Sequence, residues 1–258
     1  MKAVALALAL LLLTGCASGL RIDTSHPSVG HDSRVQFVIM HYTSADLERS
    51  LAILTGNGVS SHYLIGSSPA TVYRLVEEDR RAWHAGDSEW NGRTWLNATS
   101  IGIELVNPGF VDTPEGRLWY PYSEQQIDNL IVLLRDILTR HGLEPGAVVG
   151  HSDIAPQRKV DPGPLFPWQR LAEAGLALWP DAQQVAAAQP GFAAEPPTIA
   201  WYQEQLAAFG YRVPRHGEFD EETRSVIAAF QMRFRPERFD GQPDAQTAAM
   251  LAVLNAGR

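Results

Sequence analysis

His41 and His151 each stand at the end of a run rich in β-branched residues, Val35-Gln36-Phe37-Val38-Ile39-Met40 and Val148-Val149. Strands are rigid, and the loops at their ends are where reactive side chains are commonly held. Ten residues after His151 comes Asp161, within Lys159-Val160-Asp161-Pro162-Gly163-Pro164. Proline and glycine make this segment extended, so Lys159 and Asp161 point to one side. Two imidazoles and one carboxylate satisfy zinc as three protein ligands and leave a fourth tetrahedral position for water. Spacing alone leaves the set open, because Asp153, two residues from His151, competes as a ligand. The chain has a single cysteine, Cys16, which excludes an intramolecular disulfide framework and cysteine-based zinc or iron–sulfur sites.

These side chains need a scaffold. His62 to Gly66 and Thr71 to Val76 flank Ser67-Ser68-Pro69-Ala70 and read as a hairpin. In Ile101-Gly102-Ile103-Glu104-Leu105-Val106 the isoleucines and Leu105 face one way, while Gly102, Glu104 and Val106 face the other. Ser123 and Gln126 form a capping-box pattern ahead of Ile127, Leu130, Ile131, Leu134, Ile137 and Leu138, an amphipathic helix stopped at Gly142. The predicted class is α/β, with a mixed central β-sheet flanked by helices.

The whole chain has 258 residues, 45% of them apolar and 19% charged, a globular composition. Its formal charge of −8 excludes the broad basic face that nucleic-acid backbones require. Residues 1–15 read as a signal peptide: Lys2 precedes an apolar run from Ala3 to Leu13, too short to span a bilayer. The following Leu13-Thr14-Gly15-Cys16 looks like a lipobox, with lipid on Cys16 as the expected membrane anchor. Ala17 follows where an aspartate would resemble an inner-membrane retention signal, so an outer-membrane lipoprotein facing the periplasm is expected.

Residues 17–180 form the expected catalytic block. Residues 181–198, rich in Ala, Gln and Pro, read as an exposed, partly extended linker. Residues 199–258 look wholly helical and in principle separable. They contain an echo, Gly217-Glu218-Phe219-Asp220-Glu221-Glu222-Thr223 against Gly241-Gln242-Pro243-Asp244-Ala245-Gln246-Thr247, in which Asp220 and Asp244 are natural N-caps. Together with Tyr202, Leu206 and Phe209 on an earlier helix, this gives three short helices and resembles a peptidoglycan-binding domain.

Four segments appear in order: His41-Tyr42-Thr43-Ser44, Trp83-His84-Ala85-Gly86, Ser100-Ile101-Gly102-Ile103-Glu104-Leu105, and Gly150-His151-Ser152-Asp153-Ile154-Ala155-Pro156 continuing to Pro164. Together they resemble the type-2 N-acetylmuramoyl-L-alanine amidases, a family that includes phage lysozyme-like amidases and peptidoglycan recognition proteins. The lipobox and helical tail are similar to its AmiD-type lipoprotein branch rather than to the cytoplasmic AmpD-type recycling enzymes. The resemblance implies one zinc ion on His41, His151 and Asp161, preferring Asp161 over Asp153. It implies Glu104 as general base and acid and Lys159 as oxyanion stabiliser, with peptidoglycan and muropeptides as substrates. Tyr63, His84 and Asn107 are expected substrate contacts, and Trp90 and Trp95 either a sugar-stacking rim or a brace for their loop. The rival expectation is a non-catalytic lipoprotein that tethers the wall.

Overall fold

Parallel strands buried on both faces need continuous apolar sequence, and the three central strands have it. The computed structural model describes residue 20 and residues 22–257, so the signal peptide and Cys16 lie outside the described residues. The chain forms two units, residues 1–32 and 33–258. In the first, the described residues carry neither helix nor strand.

The second unit runs β1 (Phe37–Tyr42), α1 (Leu47–Leu54), β2 (Tyr63–Ile65), β3 (Val72–Arg74), β4 (Ser100–Leu105), β5 (Phe110–Thr113), β6 (Gly116–Trp119), α2 (Glu124–His141), β7 (Val148–Gly150), α3 (His151–Ile154) and α4 (Trp168–Glu173). It ends in α5 (Ala182–Ala194), α6 (Ile199–Phe209), α7 (Glu221–Phe234) and α8 (Ala245–Ala256). Five strands form one sheet in the order β3-β2-β4-β1-β7, and β5 and β6 pair separately. Only β2 and β3 are antiparallel within the large sheet, so it is mixed, and the predicted hairpin is present. The first strand passes through His41 to Tyr42 instead of stopping before it. Register between β1 and β4 sets His41 beside Glu104.

The two faces of the sheet are covered differently. Val38, Met40, Ile101, Ile103 and Leu105 pack with Ile127, Leu130, Leu134 and Ile137 of α2. Phe37, Ile39 and Val149 share the other cluster with Ile154, Phe209, Phe230 and Phe234. Each such fully buried side chain contributes about 1.5–3 kcal/mol. At the start of α2, Ser123 Oγ accepts from Gln126 N at 3.2 Å. The Gln126 amide does not complete the box; it donates to the Ile65 and Val106 carbonyls, tying the helix to the sheet. The helix stops at Gly142, whose φ of +64° is left-handed.

Two expectations about the tail need correcting. Most of the segment read as an extended linker is helix α5, capped by Asp181, which accepts from Gln184 N at 2.8 Å. Alanine and glutamine are strong helix formers, and Ala188 and Phe192 pack against the aromatic cluster, which outweighs the interior Pro190. The tail is also not a free appendage, because its aromatic residues and the sheet share one core. The internal echo is structural. Asp220 accepts from Thr223 N at 2.7 Å and Asp244 from Thr247 N at 2.8 Å, so each caps its helix. Gln203 and Gln231 repeat one pattern, accepting from Gly217 N and Gly241 N and donating to Thr223 Oγ1 and Thr247 Oγ1.

Candidate metal centre

His41 leaves β1, and His151 opens α3 directly after β7, the neighbouring strand. Asp161 reaches them from the segment that follows, which forms successive turns where the sequence suggested an extended chain. Its main chain is tied back by Ser152 N donating to the Asp161 carbonyl at 2.8 Å. The Nδ1 atoms of His41 and His151 lie 2.9 Å apart. Asp161 Oδ2 lies 3.1 Å from the first and 2.9 Å from the second. Three lone-pair atoms therefore converge on one point, and all three residues are buried.

That arrangement can hold a metal ion. Tetrahedral bonds of about 2.0–2.1 Å put neighbouring donor atoms about 3.3 Å apart, close to what the chain presents before any ion is placed. Nitrogen with carboxylate oxygen is a donor set zinc accepts. The electrostatics agree. Burial, reinforced by His151, lowers His41 to about 4, so the imidazole is neutral and offers a lone pair. Burial pushes the Asp161 carboxyl up, but His151 and His41 outweigh it and hold the group well below the usual carboxylate range.

The centre opens into a cleft of about 340 Å³, with Glu104, Lys159, Trp83 and the end of α1 in its wall. Burial, then the negative charge of Asp161, raises Glu104 to about 8, while Lys159 pulls the other way. Glu104 Oε2 is buried without a hydrogen-bond partner, a costly state for a structural carboxylate. A candidate acid–base group is thus aimed into the cleft.

Not every residue expected at the cleft reaches it. Tyr63 points to the α2 side of the sheet and donates its hydroxyl to Glu78 Oε1 at 2.6 Å. Alternation along β2 decides this, since Leu64 and not Tyr63 is aligned with Glu104. Asn107 is a buried loop clip: it donates to the Tyr120 and Pro121 carbonyls and accepts from Gly109 N. Neither lines the cleft at the candidate centre, where substrate contact was expected. His84 does border the cleft, but both its ring nitrogens are engaged, with His41 and with Ser100. Trp90 is buried against Phe209 and Tyr211 and braces its loop, whereas Trp95 is 79% exposed. Asp153 faces away from the centre and pairs with Arg233.

Sequence reasoning passed over Asn97 and Ser100, which support His84 from behind. Gly102 was the available signal. A glycine inside a strand often marks the close approach of another group, and a Cβ at Gly102 would sit 2.5 Å from Cγ of His84.

Comparison with known proteins agrees with the geometry. Residues 31–164 match the N-acetylmuramoyl-L-alanine amidase family model, and residues 195–251 match a peptidoglycan binding domain model. The chain is 44% identical to N-acetylmuramoyl-L-alanine amidase AmiD of Escherichia coli (strain K12), over 95% of this chain and 94% of that one. A structure of the E. coli AmiD with the substrate anhydro-N-acetylmuramic acid-L-Ala-D-gamma-Glu-L-Lys superposes with a TM-score of 0.84 at 42% identity, covering 93% of this chain and 95% of that one. AmpDh3 of Pseudomonas aeruginosa in complex with anhydromuramic pentapeptide gives a TM-score of 0.86 at 39% identity, covering 92% and 98%. The chain belongs to the N-acetylmuramoyl-L-alanine amidase family.

Proposed function

We propose that the chain hydrolyses the amide bond between the lactyl group of N-acetylmuramic acid and L-alanine in peptidoglycan or muropeptides, using one zinc ion on His41, His151 and Asp161. The observation that carries this reading is the convergence of three neutral or anionic donor atoms within 3.1 Å, beside a buried carboxyl oxygen that has no partner. Zinc held there would supply Lewis acidity, lowering the pKa of water toward neutrality so that hydroxide is available as the nucleophile, and polarising a carbonyl.

The chain's own residues do the rest. Glu104 takes the proton of the attacking water on its free oxygen and passes it to the departing amine of L-alanine. Its buried Oε2, without a hydrogen-bond partner of its own, can hold that proton between the two transfers. Lys159 places an ammonium in the same cleft, where it stabilises the negative charge that develops on the carbonyl oxygen. Buried walls keep bulk water from screening that charge.

The helical tail would hold the enzyme on its polymer, raising the local concentration of cleavable bonds. Lipid on Cys16 would anchor the protein to the outer membrane, facing the periplasm. Among the described residues no helix is long and apolar enough to cross a membrane.

One assay addresses the core of this proposal. Purified peptidoglycan is digested by the enzyme with and without a strong chelator, and metal content is measured on the same preparation. One zinc per chain, with activity lost on chelation and restored by zinc, is the expected result. Full activity in metal-free protein overturns it. Membrane fractionation tests the anchor separately: Cys16→Ser should leave the membrane fraction or stay unprocessed, and a Cys16→Ser chain that is processed and still fractionates with membranes would exclude it.

A further inference from the structure

A histidine ligand binds metal through one ring nitrogen only if its proton sits on the other, and the partner of that other nitrogen decides this. Around both candidate ligand histidines, those partners come from two adjacent residues, His84 and Ala85. His41 Nε2 lies 3.0 Å from His84 Nδ1. His84 Nε2 lies 3.2 Å from Ser100 Oγ, and Ser100 donates its hydroxyl to the Leu96 carbonyl at 2.6 Å.

Proton positions along this chain follow from its fixed end. The Leu96 carbonyl only accepts, so it takes the one proton of Ser100. Ser100 Oγ must then accept, and His84 carries its proton on Nε2. That leaves Nδ1 of a neutral His84 bare, able to accept from His41 Nε2. The lone pair of His41 Nδ1 therefore points at the centre. His151 reaches the same state by a shorter route, since its Nε2 lies 3.3 Å from the Ala85 carbonyl, which can only accept. Arg158 Nη2, 3.5 Å from that nitrogen, donates to the same carbonyl at 2.5 Å.

The dipeptide is itself clamped. Asn97 Oδ1 accepts from His84 N at 2.9 Å and from Ala85 N at 2.7 Å. Leu96 and Asn97 belong to one short 3-10 turn, Leu96–Ala98, so a single turn holds both the main chain of the dipeptide and the far end of the proton chain. Gly102 leaves room for the His84 ring against β4.

We propose that His84 and Ala85, held by Asn97 and Ser100, are positioning residues that fix both ligand imidazoles with Nδ1 bare. This rests on reading His41, His151 and Asp161 as the zinc site. His84 thereby acts through His41 and not on the substrate.

The test is zinc affinity of the full chain, measured by competition with a chromophoric chelator. In His84→Gln the amide oxygen can accept from His41 while the amide nitrogen donates to Ser100, so affinity should stay within a few-fold of the unaltered protein. His84→Leu fills similar space without those bonds and should bind about 10- to 100-fold more weakly. Asn97→Asp keeps the acceptor and should behave like Asn97, whereas Asn97→Leu should weaken zinc binding. If leucine and glutamine at position 84 bind zinc equally well, His84 only packs and the proposal fails. If the unaltered chain binds no zinc, the metal reading itself fails. Imidazole 15N shifts of the zinc-loaded, unaltered protein need no variant: a proton on His84 Nε2 is expected, and a proton on Nδ1 overturns the assignment.

Discussion

Asp153 and Asp161 are both buried, at 1% and 7% exposure, and flank the same short segment after β7. Their surroundings differ in kind. Asp153 is closed: Oδ1 accepts from Tyr211 Oη at 2.6 Å, and Oδ2 accepts from Arg233 Nη1 at 2.6 Å and Gly150 N at 2.7 Å. One guanidinium neutralises one carboxylate, and the same guanidinium stacks over Trp168 at 4.2 Å. Asp161 is open. Its Oδ2 meets two imidazole nitrogens and, among the described residues, no lysine or arginine within ion-pair distance. A buried carboxylate needs compensating partners: Asp153 has a guanidinium, whereas Asp161 has two imidazoles, groups that can share a metal ion with it. Spacing could not separate these two as ligands, but their partners do.

The largest expected effects test the open carboxylate. Asp161→Ala should lose zinc and turnover together, as should His41→Ala or His151→Ala, because two remaining ligands hold zinc poorly. Glu104→Ala should retain zinc while turnover falls by about 100- to 10,000-fold, the usual cost of removing a general acid–base group. Metal analysis beside a muropeptide assay separates these outcomes. Loss of zinc from Glu104→Ala would make Glu104 a ligand and redraw the centre.

The closed carboxylate should fail differently. Arg233→Met leaves Asp153 buried without countercharge, which costs about 3–5 kcal/mol. Denaturant unfolding should show that loss, while the folded fraction keeps its zinc, because Arg233 touches Asp153 and not Asp161. Zinc loss as complete as in Asp161→Ala would show the two clusters to be one. Removing residues 199–258 is harsher, since it deletes Arg233, Tyr211 and the aromatic half of the core on that face of the sheet. Such a truncation should aggregate or unfold. A soluble, active fragment would mean that the shared core contributes little.

What the sequence made legible follows the same division. The strand-end positions of His41 and His151, the outward face of Glu104 and the helix over α2 rest on local pattern: strand ends, alternation and an amphipathic stripe. The preference for Asp161 over Asp153 and the role of Glu104 rest on the resemblance. Pairings between distant segments leave no such local trace. Nothing near Asp153 announces Arg233, which arrives from 80 residues away. Tyr63 and Asn107 lie away from the cleft for related reasons. Resemblance gave a neighbourhood, but the one-residue alternation of β2 turned Tyr63 to the opposite face, and the carbonyls of the loop at Tyr120 and Pro121 claimed Asn107. Composition misled at α5, where alanine, glutamine and proline suit both an extended linker and a helix until Phe192 finds the aromatic cluster.

The smallest expected effect concerns a third carboxylate, Glu78, on the α2 side of the sheet and partly open to solvent. Burial would raise it, but Arg140, Tyr63 and His141 hydrogen-bond it and lower it to about 2. Folding therefore stabilises the ionised form. Its contribution is fully present above the unfolded value of about 4.3 and is lost as pH falls toward 2. Glu78→Gln should cost about 1 kcal/mol at neutral pH, less than the full shift implies because solvent screens a partly exposed cluster. That gap from the unaltered protein should narrow below pH 4 and close near pH 2, as read by urea unfolding across the range. A gap that does not change with pH would assign the loss to packing rather than charge. A drop in zinc affinity in Glu78→Gln would be more damaging, because it would couple the metal centre to a cluster the sheet separates from it.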